Sequence, residues 1–283
     1  MPLTFGAHHG NSSPMFQRNR IAFAQDSQYE GLRCVASNPA VGQSWRMKRR
    51  RLPVVVELSA FSGFRFAPSV IMVAVRWYLR FGLSYRDVEE LLAERGVEVD
   101  HVTIYRWVPR FTPLLIDAAR TCRHRVGDRW HVDETYVRVC GESRFVYRAV
   151  DQFGQVIDVY VSPRRDACAA RRFFAKAIKA TGTQAAEVVT DGAKAYPGVL
   201  DALLPGAFHN TTKHANNNVE TDHGRLKARL RPMRGLEQDR SARIIIPGHA
   251  LVQNLRRGHY ELGVDASPKL RLAAAFDELA TAI

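Results

Sequence analysis

The hydrophobic pattern between residues 67 and 113 is helical and divides into three segments. The first, "APSVIMVAVRWYLRFG", is rich in apolar residues and stops at a glycine. Ser84, with Asp87 three residues later, predicts a capping box at the start of a second helix. Asp100 caps the third segment, "HVTIYRWVPRF", whose apolar residues share one helical face: Ile104, Trp107, Val108 and Phe111. The pattern therefore predicts three consecutive helices.

After Trp130 the hydrophobic period changes from that of a helix to that of a strand. Three alternating runs predict an antiparallel meander, with turns at two glycines: "WHVDETYVRV", "RFVYRAVDQFG" and "QVIDVYVSP". The pattern then predicts a helix at 167–181, a short strand in "EVVTDG", a short helix near 196–204 and a long helix from about 216 to 231. Residues 232–283 read as mostly helical. This order of elements favours a layered α/β fold.

The charge balance points to a polyanionic partner. Lys and Arg number 41 against 28 Asp and Glu, which gives a formal net charge of +13. Such a field attracts nucleic acid or an anionic membrane surface, although a basic protein without such a partner stays possible. The four cysteines show no CxxC pair, and no apolar run is long enough to span a bilayer. These features favour a cytoplasmic protein that does not insert into membranes.

The second and third predicted helices, joined by a short turn with a glycine, have the arrangement of a helix-turn-helix. Four side chains on the free face of the third helix suit base edges and phosphates: Thr103, Tyr105, Arg106 and Arg110. The alternative is a helical hairpin that only packs on its neighbour. The net charge favours DNA binding.

Three carboxylates on separate elements form the candidate catalytic site. Asp133 lies inside a predicted strand, Asp191 at the end of another, and Glu220 on the long helix. Acids from distant segments can converge at one edge of a sheet, where they would hold two Mg²⁺ ions, with Mn²⁺ as the expected substitute. Glu134 should lie on the other face of the strand, where we expect a basic partner, because successive strand residues alternate faces. Asp222 should point away from the site, because it is two residues from Glu220 and so about 200° round the helix.

The long helix adds basic residues to the candidate site. Lys227 lies seven residues beyond Glu220, on the same face, and Arg231 continues that stripe. Such cations suit a DNA backbone beside the metals. An adjacent stripe can pack against the protein: Val219, His223, Leu226 and Leu230. The alternative is a solvated face of mixed charge.

The chain resembles the IS6-type (IS26-like) transposases of bacterial insertion sequences from about residue 61 to residue 260. The segments that carry the resemblance are "VRWYLRFGLSYRDVEELLAERGVEVDHVTIYRWVPRF", "WHVDETYVRV", "YRAVDQFGQVIDVYVSPRRDACAARRFF", "VVTDGAKAYPGV" and "NNNVETDHGRLKARLRPMRGL". The resemblance implies a retroviral-integrase-type, RNase H-like catalytic domain preceded by a helix-turn-helix domain. Its Mg²⁺-binding triad falls on Asp133, Asp191 and Glu220, followed by Lys227.

The resemblance also implies an activity and its partners. The helix-turn-helix would bind the terminal inverted repeats, and the triad would nick DNA to free a 3′-OH that attacks target DNA. Joining two ends implies a homo-oligomer on DNA. Two alternatives remain: a DNA-binding remnant without a working triad, and an RNase H-like nuclease acting on cellular nucleic acid. Only 28 residues separate Asp191 from Glu220, fewer than is typical of the family.

Four regions are predicted along the chain. Residues 1–46 lack periodicity and read as a poorly ordered extension, or as a stretch upstream of a true start at Met47. Residues 47–120 would form the helix-turn-helix region, 121–235 the catalytic domain, and 236–283 a basic helical C-terminal region.

Overall fold

The computed structural model describes residues 59–212, 216–233 and 236–283. The expectations for residues 1–46 fall outside these described residues. Within the described residues, no helix is both long and apolar enough to cross a membrane.

Three helices open the described chain, and their caps agree with the sequence. They are α1 (Pro68–Arg80), α2 (Tyr85–Ala93) and α3 (His101–Ala119). Ser84 accepts a hydrogen bond from the backbone N–H of Asp87, whose carboxylate accepts one from the N–H of Ser84. The Asp100 carboxylate accepts from the N–H of Thr103. The predicted capping box and the predicted cap of α3 are therefore confirmed.

Helix α3 is longer than its predicted segment, which stopped at Phe111. It continues to Ala119 through Pro109 and Pro113, two residues that cannot donate a helical hydrogen bond. The extension is stabilised by burial, because Leu115 and Ala119 are both inaccessible to solvent. Tertiary packing thus outweighs the cost of the two prolines.

The sheet has five strands in the order β3-β2-β1-β4-β5. Strands β1 (Arg129–Val139), β2 (Glu142–Asp151) and β3 (Val156–Ser162) form the predicted antiparallel meander. Strands β4 (Glu187–Val189) and β5 (Phe208–Asn210) run parallel to β1 on its other side. The sequence did not predict β5, since three residues are too few for a periodic signal. This order and these directions confirm the RNase H-like fold class.

Five further helices follow: α4 (Ala167–Thr181), α5 (Pro197–Leu203), α6 (Asn217–Leu230), α7 (Asp239–Arg257) and α8 (Arg271–Ala282). Single 3₁₀ turns at Arg120–Cys122 and Arg231–Met233 follow α3 and α6. Helix α4 has the bounds that the sequence predicts. Asp166 caps its start and Gly182, in the left-handed region, ends it.

The two faces of the sheet bury different sets of side chains. On one face, Trp130 and Val132 of β1 pack in a core with residues of α4 and α5. On the other, Val137 and Val139 join a core that also contains residues of α1–α3, α6, α7 and α8. Because strand residues alternate, Asp133 belongs to the second face and Glu134 to the first.

Candidate active site

The register of two parallel strands relates the positions of the first two candidate acids. His131 of β1 pairs with Val189 of β4, which is the last pair between these strands. Asp133 and Asp191 each lie two residues further along. Asp191 lies beyond the end of β4, so the two aspartates occupy corresponding positions in the register of neighbouring parallel strands.

Helix α6 packs against β1 and β2. The side-chain amide of Asn216, at the start of α6, donates a 2.9 Å hydrogen bond to the carbonyl oxygen of Val132. About two turns further along α6, Nδ1 of His223 lies 3.5 Å from Oδ2 of Asp133. Glu220 is four residues after Asn216 and three before His223, so it lies on the helical face that meets β1. It is exposed to solvent.

Lys227 continues the same face of α6. Its Nζ lies 5.2 Å from the ring centroid of Tyr136, an exposed side chain of β1. A cation–π contact of this kind holds the ammonium group near the sheet edge while leaving it accessible. The predicted packing stripe of α6 is confirmed, because four of its side chains are buried: Val219, His223, Leu226 and Leu230.

The chemistry of the three carboxylates fits a hard divalent ion, but they do not enclose one in this conformation. Among the described residues, no three His, Cys, Asp or Glu side chains cluster in a way that could hold a metal ion. The Asp191 carboxylate instead has two protein partners. Its Oδ1 accepts from the N–H of Ala193 at 2.9 Å, and its Oδ2 lies 3.1 Å from Nη2 of Arg165.

Glu134 takes a structural role on the opposite face, as the sequence predicts. Its side chain is only 3% exposed. It accepts hydrogen bonds from Nε of Arg165 and from the hydroxyl of Tyr196. Burial and then the neighbouring Glu134 charge raise the pKa of the Tyr196 hydroxyl well above its usual value. The expected basic partner is therefore Arg165, which bridges Glu134 and Asp191.

Asp222 points away from the candidate site, as predicted, into an ion cluster. Its carboxylate binds Arg148 of β2 and Arg257 of α7, and the Arg148 side chain has no exposed surface. Sequence reasoning did not find Arg148 or Arg165. For Arg148, a signal was present: a charged residue in the middle of the apolar run "FVYRAV" requires a buried partner.

The candidate DNA-binding residues of α3 have different surroundings. The Thr103 hydroxyl donates to the Asp100 carboxylate at 2.7 Å, so it already takes part in the helix cap. Tyr105 is 42% exposed and packs edge-on against Tyr85. Arg106 and Arg110 are exposed, as is Arg231 beyond α6.

Comparison with known proteins identifies the class first. A family model described as a DDE domain matches residues 127–259, from the loop before β1 to the end of α7. The match and the fold together define an RNase H-like domain of the DDE class.

Curated relatives then identify the family. The transposase for insertion sequence-like element IS431mec of Staphylococcus aureus (strain N315) is 39% identical over 170 residues, which are 58% of this chain and 75% of the relative. The transposase for insertion sequence element IS257 in transposon Tn4003 of Staphylococcus aureus is 38% identical over 170 residues, with the same shares covered. The chain belongs to the IS6-type family of insertion-sequence transposases, enzymes that cleave DNA and transfer strands. Membership implies use of a divalent metal.

Solved structures show more distant likeness. The simian T-cell lymphotropic virus intasome in complex with PP2A regulatory subunit B56 gamma matches at 17% identity and a TM-score of 0.39, covering 59% of this chain and 65% of that one. The HTLV-2 integrase catalytic core domain in complex with magnesium matches at 17% identity and a TM-score of 0.30, covering 56% and 86%.

Proposed function

We propose that this transposase binds the terminal inverted repeats of its element through α2 and α3, nicks each end to free a 3′-OH, and joins that end to target DNA. Asp133, Asp191 and Glu220 would carry the chemistry. The observation that carries this proposal is the register of β1 and β4, which gives the two aspartates corresponding positions on neighbouring strands. Asn216 also ties the start of the helix that bears Glu220 to β1.

The three carboxylates would hold two Mg²⁺ ions, or Mn²⁺ in their place. Bound there, the ions would stabilise the attacking and leaving oxygens of an in-line phosphoryl displacement. Arg165 would have to release Asp191 to make that oxygen available, and the exposed Glu220 side chain would have to turn toward the aspartates. Binding of DNA and metal would thus complete the site.

Basic side chains would orient the DNA. Lys227, held beside β1 by the Tyr136 ring, would contact a phosphate next to the scissile bond. Arg231 would contact the backbone further along α6. Arg106 and Arg110, both exposed on α3, would contact bases and phosphates of the inverted repeat, with Tyr105 beside them. Since two ends are joined, we expect at least two copies of the chain on the DNA.

The test uses a labelled duplex that spans the boundary of the element, incubated with the purified protein and Mg²⁺. We expect one nick at the boundary and joining to a plasmid, both lost on chelation of the metal. Asp133→Asn, Asp191→Asn and Glu220→Gln should each abolish nicking while DNA binding persists. Asp201→Asn, an exposed acid on α5, is the matched control and should nick normally. Nicking by the Glu220 variant would remove Glu220 from the triad.

A DNA-binding remnant is the second candidate function. It is favoured by one observation, the Arg165–Asp191 ion pair at a place where the described residues form no metal-holding cluster. The same experiment separates the two functions. Tight binding of the end without any nick, at every Mg²⁺ or Mn²⁺ concentration, would support the remnant.

A further inference from the structure

A cleft of about 280 Å³ lies where the end of α1 meets α6 and α7. Four arginines line it: Arg80, Arg225, Arg229 and Arg256. The described residues that line it include neither Asp nor Glu. Side chains of one sign around a concave surface concentrate the electrostatic field and attract the opposite charge.

The arginines are close enough to repel one another. Burial, and then the charge of Arg256, lower the pKa of the Arg80 guanidinium. Burial, and then the charges of Arg225 and Arg257, lower the pKa of the Arg256 guanidinium. Such crowding costs free energy unless an anion offsets it. The acid nearest to Arg225, Asp222, is 4.0 Å away and already binds two other arginines.

Two buried donors at the cleft lack an acceptor. Arg229 is 96% buried, and its Nε has no hydrogen-bond partner among the described residues although one Nη donates to the Tyr78 carbonyl. His249 is almost wholly buried, and its Nδ1 also has no partner there. Its Nε2 lies 3.1 Å from the Gln253 amide nitrogen, which can only donate, so the proton of the neutral ring is on Nδ1. Burial lowers the pKa of His249 to about 3, which keeps the ring neutral.

The cleft adjoins the start of α2 and lies on the side of α6 away from Glu220, because Arg225 and Arg229 are about 140° and 180° round that helix from the glutamate. Its Arg80 and Phe81 end α1, just before Ser84 caps α2. Its Arg225 is five residues beyond Glu220 on α6, or about 8 Å along the helix axis. Phe81 is 47% exposed, with the Arg80 guanidinium 5.0 Å from its ring centroid. An exposed aromatic ring among arginines suits a nucleotide, whose base can stack beside its phosphate.

We propose that this four-arginine cleft binds a phosphodiester group of the DNA that α2 and α3 hold, on the side of α6 away from Glu220. The inference rests on the proposed function, because it assumes DNA as the partner. The unpaired donors of Arg229 and His249 would then meet phosphate oxygens, and the exposed Arg225 and Arg256 would close over the anion.

The test measures how binding depends on salt. The affinity for a labelled duplex spanning the element boundary is measured by fluorescence anisotropy over a range of KCl concentrations. We expect Arg225→Ala and Arg256→Ala each to reduce the magnitude of the negative slope of log K against log [KCl], by up to about 0.9, the value for one whole phosphate contact. Arg225→Lys and Arg256→Lys, which keep the positive charge, should have slopes closer to that of the wild type.

The control is Arg171→Ala, an exposed arginine on α4, whose helix packs on the opposite face of the sheet. Its slope should equal that of the wild type. Equal slopes for the control and the cleft variants would overturn the proposal. A second experiment measures thermal unfolding with and without inorganic phosphate. Phosphate could stabilise the wild type but not Arg256→Ala, while the cleft variants keep the wild-type salt slope. That result would show that the cleft binds free phosphate and not DNA.

Different results would refute the cleft proposal and the proposed function. Asp133→Asn should lose nicking but keep the wild-type salt slope. A wild type that neither binds nor nicks the duplex would refute the proposed function itself. A wild type that nicks while both cleft variants bind like the control would refute only the cleft.

Discussion

Removal of the Asp222 carboxylate should destabilise the protein more than removal of any exposed acid. Asp222 sits two residues after the candidate ligand Glu220 and binds Arg148 of β2 and Arg257 of α7. In Asp222→Ala, the wholly buried Arg148 would keep its charge without its carboxylate partner. Removing one partner of a buried ion pair typically costs about 3–5 kcal/mol of unfolding free energy. For a domain of this size, that lowers Tm by about 10 °C.

The matched control is Asp239→Ala. Asp239 also forms an ion pair with an arginine, Arg144, but its side chain is 45% exposed. Exposed pairs contribute about 1 kcal/mol or less. Urea unfolding of both variants, followed by circular dichroism, measures the difference. If Asp222→Ala lowers the unfolding free energy no more than Asp239→Ala does, the ion cluster around Asp222 does not hold α6 to the sheet.

The pH dependence gives a second check on the same cluster. Burial alone would raise the pKa of Asp222, but the charges of Arg148 and Arg257 outweigh it and hold that pKa below its usual value. A depressed pKa contributes stability that is present above the unfolded pKa of about 4 and is lost as pH falls through the folded value. The difference in unfolding free energy between the wild type and Asp222→Ala should therefore become smaller in acid. A double variant, Asp222→Leu with Arg148→Met, should recover most of the lost stability.

Three further predictions concern neighbouring groups. In Arg165→Ala, Asp191 loses the cation that competes with metal, so half-maximal nicking should need less Mg²⁺ in a metal titration; an unchanged requirement would contradict this. Tyr196→Phe removes one donor to the buried Glu134 and should cost about 1–3 kcal/mol in urea unfolding, whereas no loss would argue against that hydrogen bond. Gly248→Ala would set a methyl group 2.7 Å from a methyl of α3 and should lower the urea midpoint, by about 1–3 kcal/mol of overpacking.

Local patterns were enough to predict most elements of the fold. The alternation after Trp130 predicted the three antiparallel strands, and the caps at Ser84 and Asp100 predicted the starts of two helices that the structure contains. These signals are local, since a cap or a strand face depends on residues within one helical turn or one pleat. The predicted end of α3 was wrong, because the position of that end depends on burial against distant helices, which local propensity does not report.

The partners of the site could not be predicted, because they come from distant parts of the chain. Arg165 reaches Glu134 across 31 residues, and Arg148 reaches Asp222 across 74. Asn216, which fastens α6 to β1, acts over 84 residues. Alternation did predict that Glu134 would face away from Asp133 and need a cation. It could not say which of the 41 Lys and Arg residues would supply it.

Two pairs of acids explain why carboxylates are tolerated inside this core. In each pair, Asp133 with Glu134 and Glu220 with Asp222, one member is buried and bound by guanidinium groups: Glu134 by Arg165, and Asp222 by Arg148 and Arg257. The other member is more accessible: Asp133 is 19% exposed and Glu220 is exposed. The buried acids fix the strand and the helix on which the accessible acids lie. The cost of burying them is thus offset by arginines, and the accessible acids keep oxygens near solvent, where a metal ion can reach them.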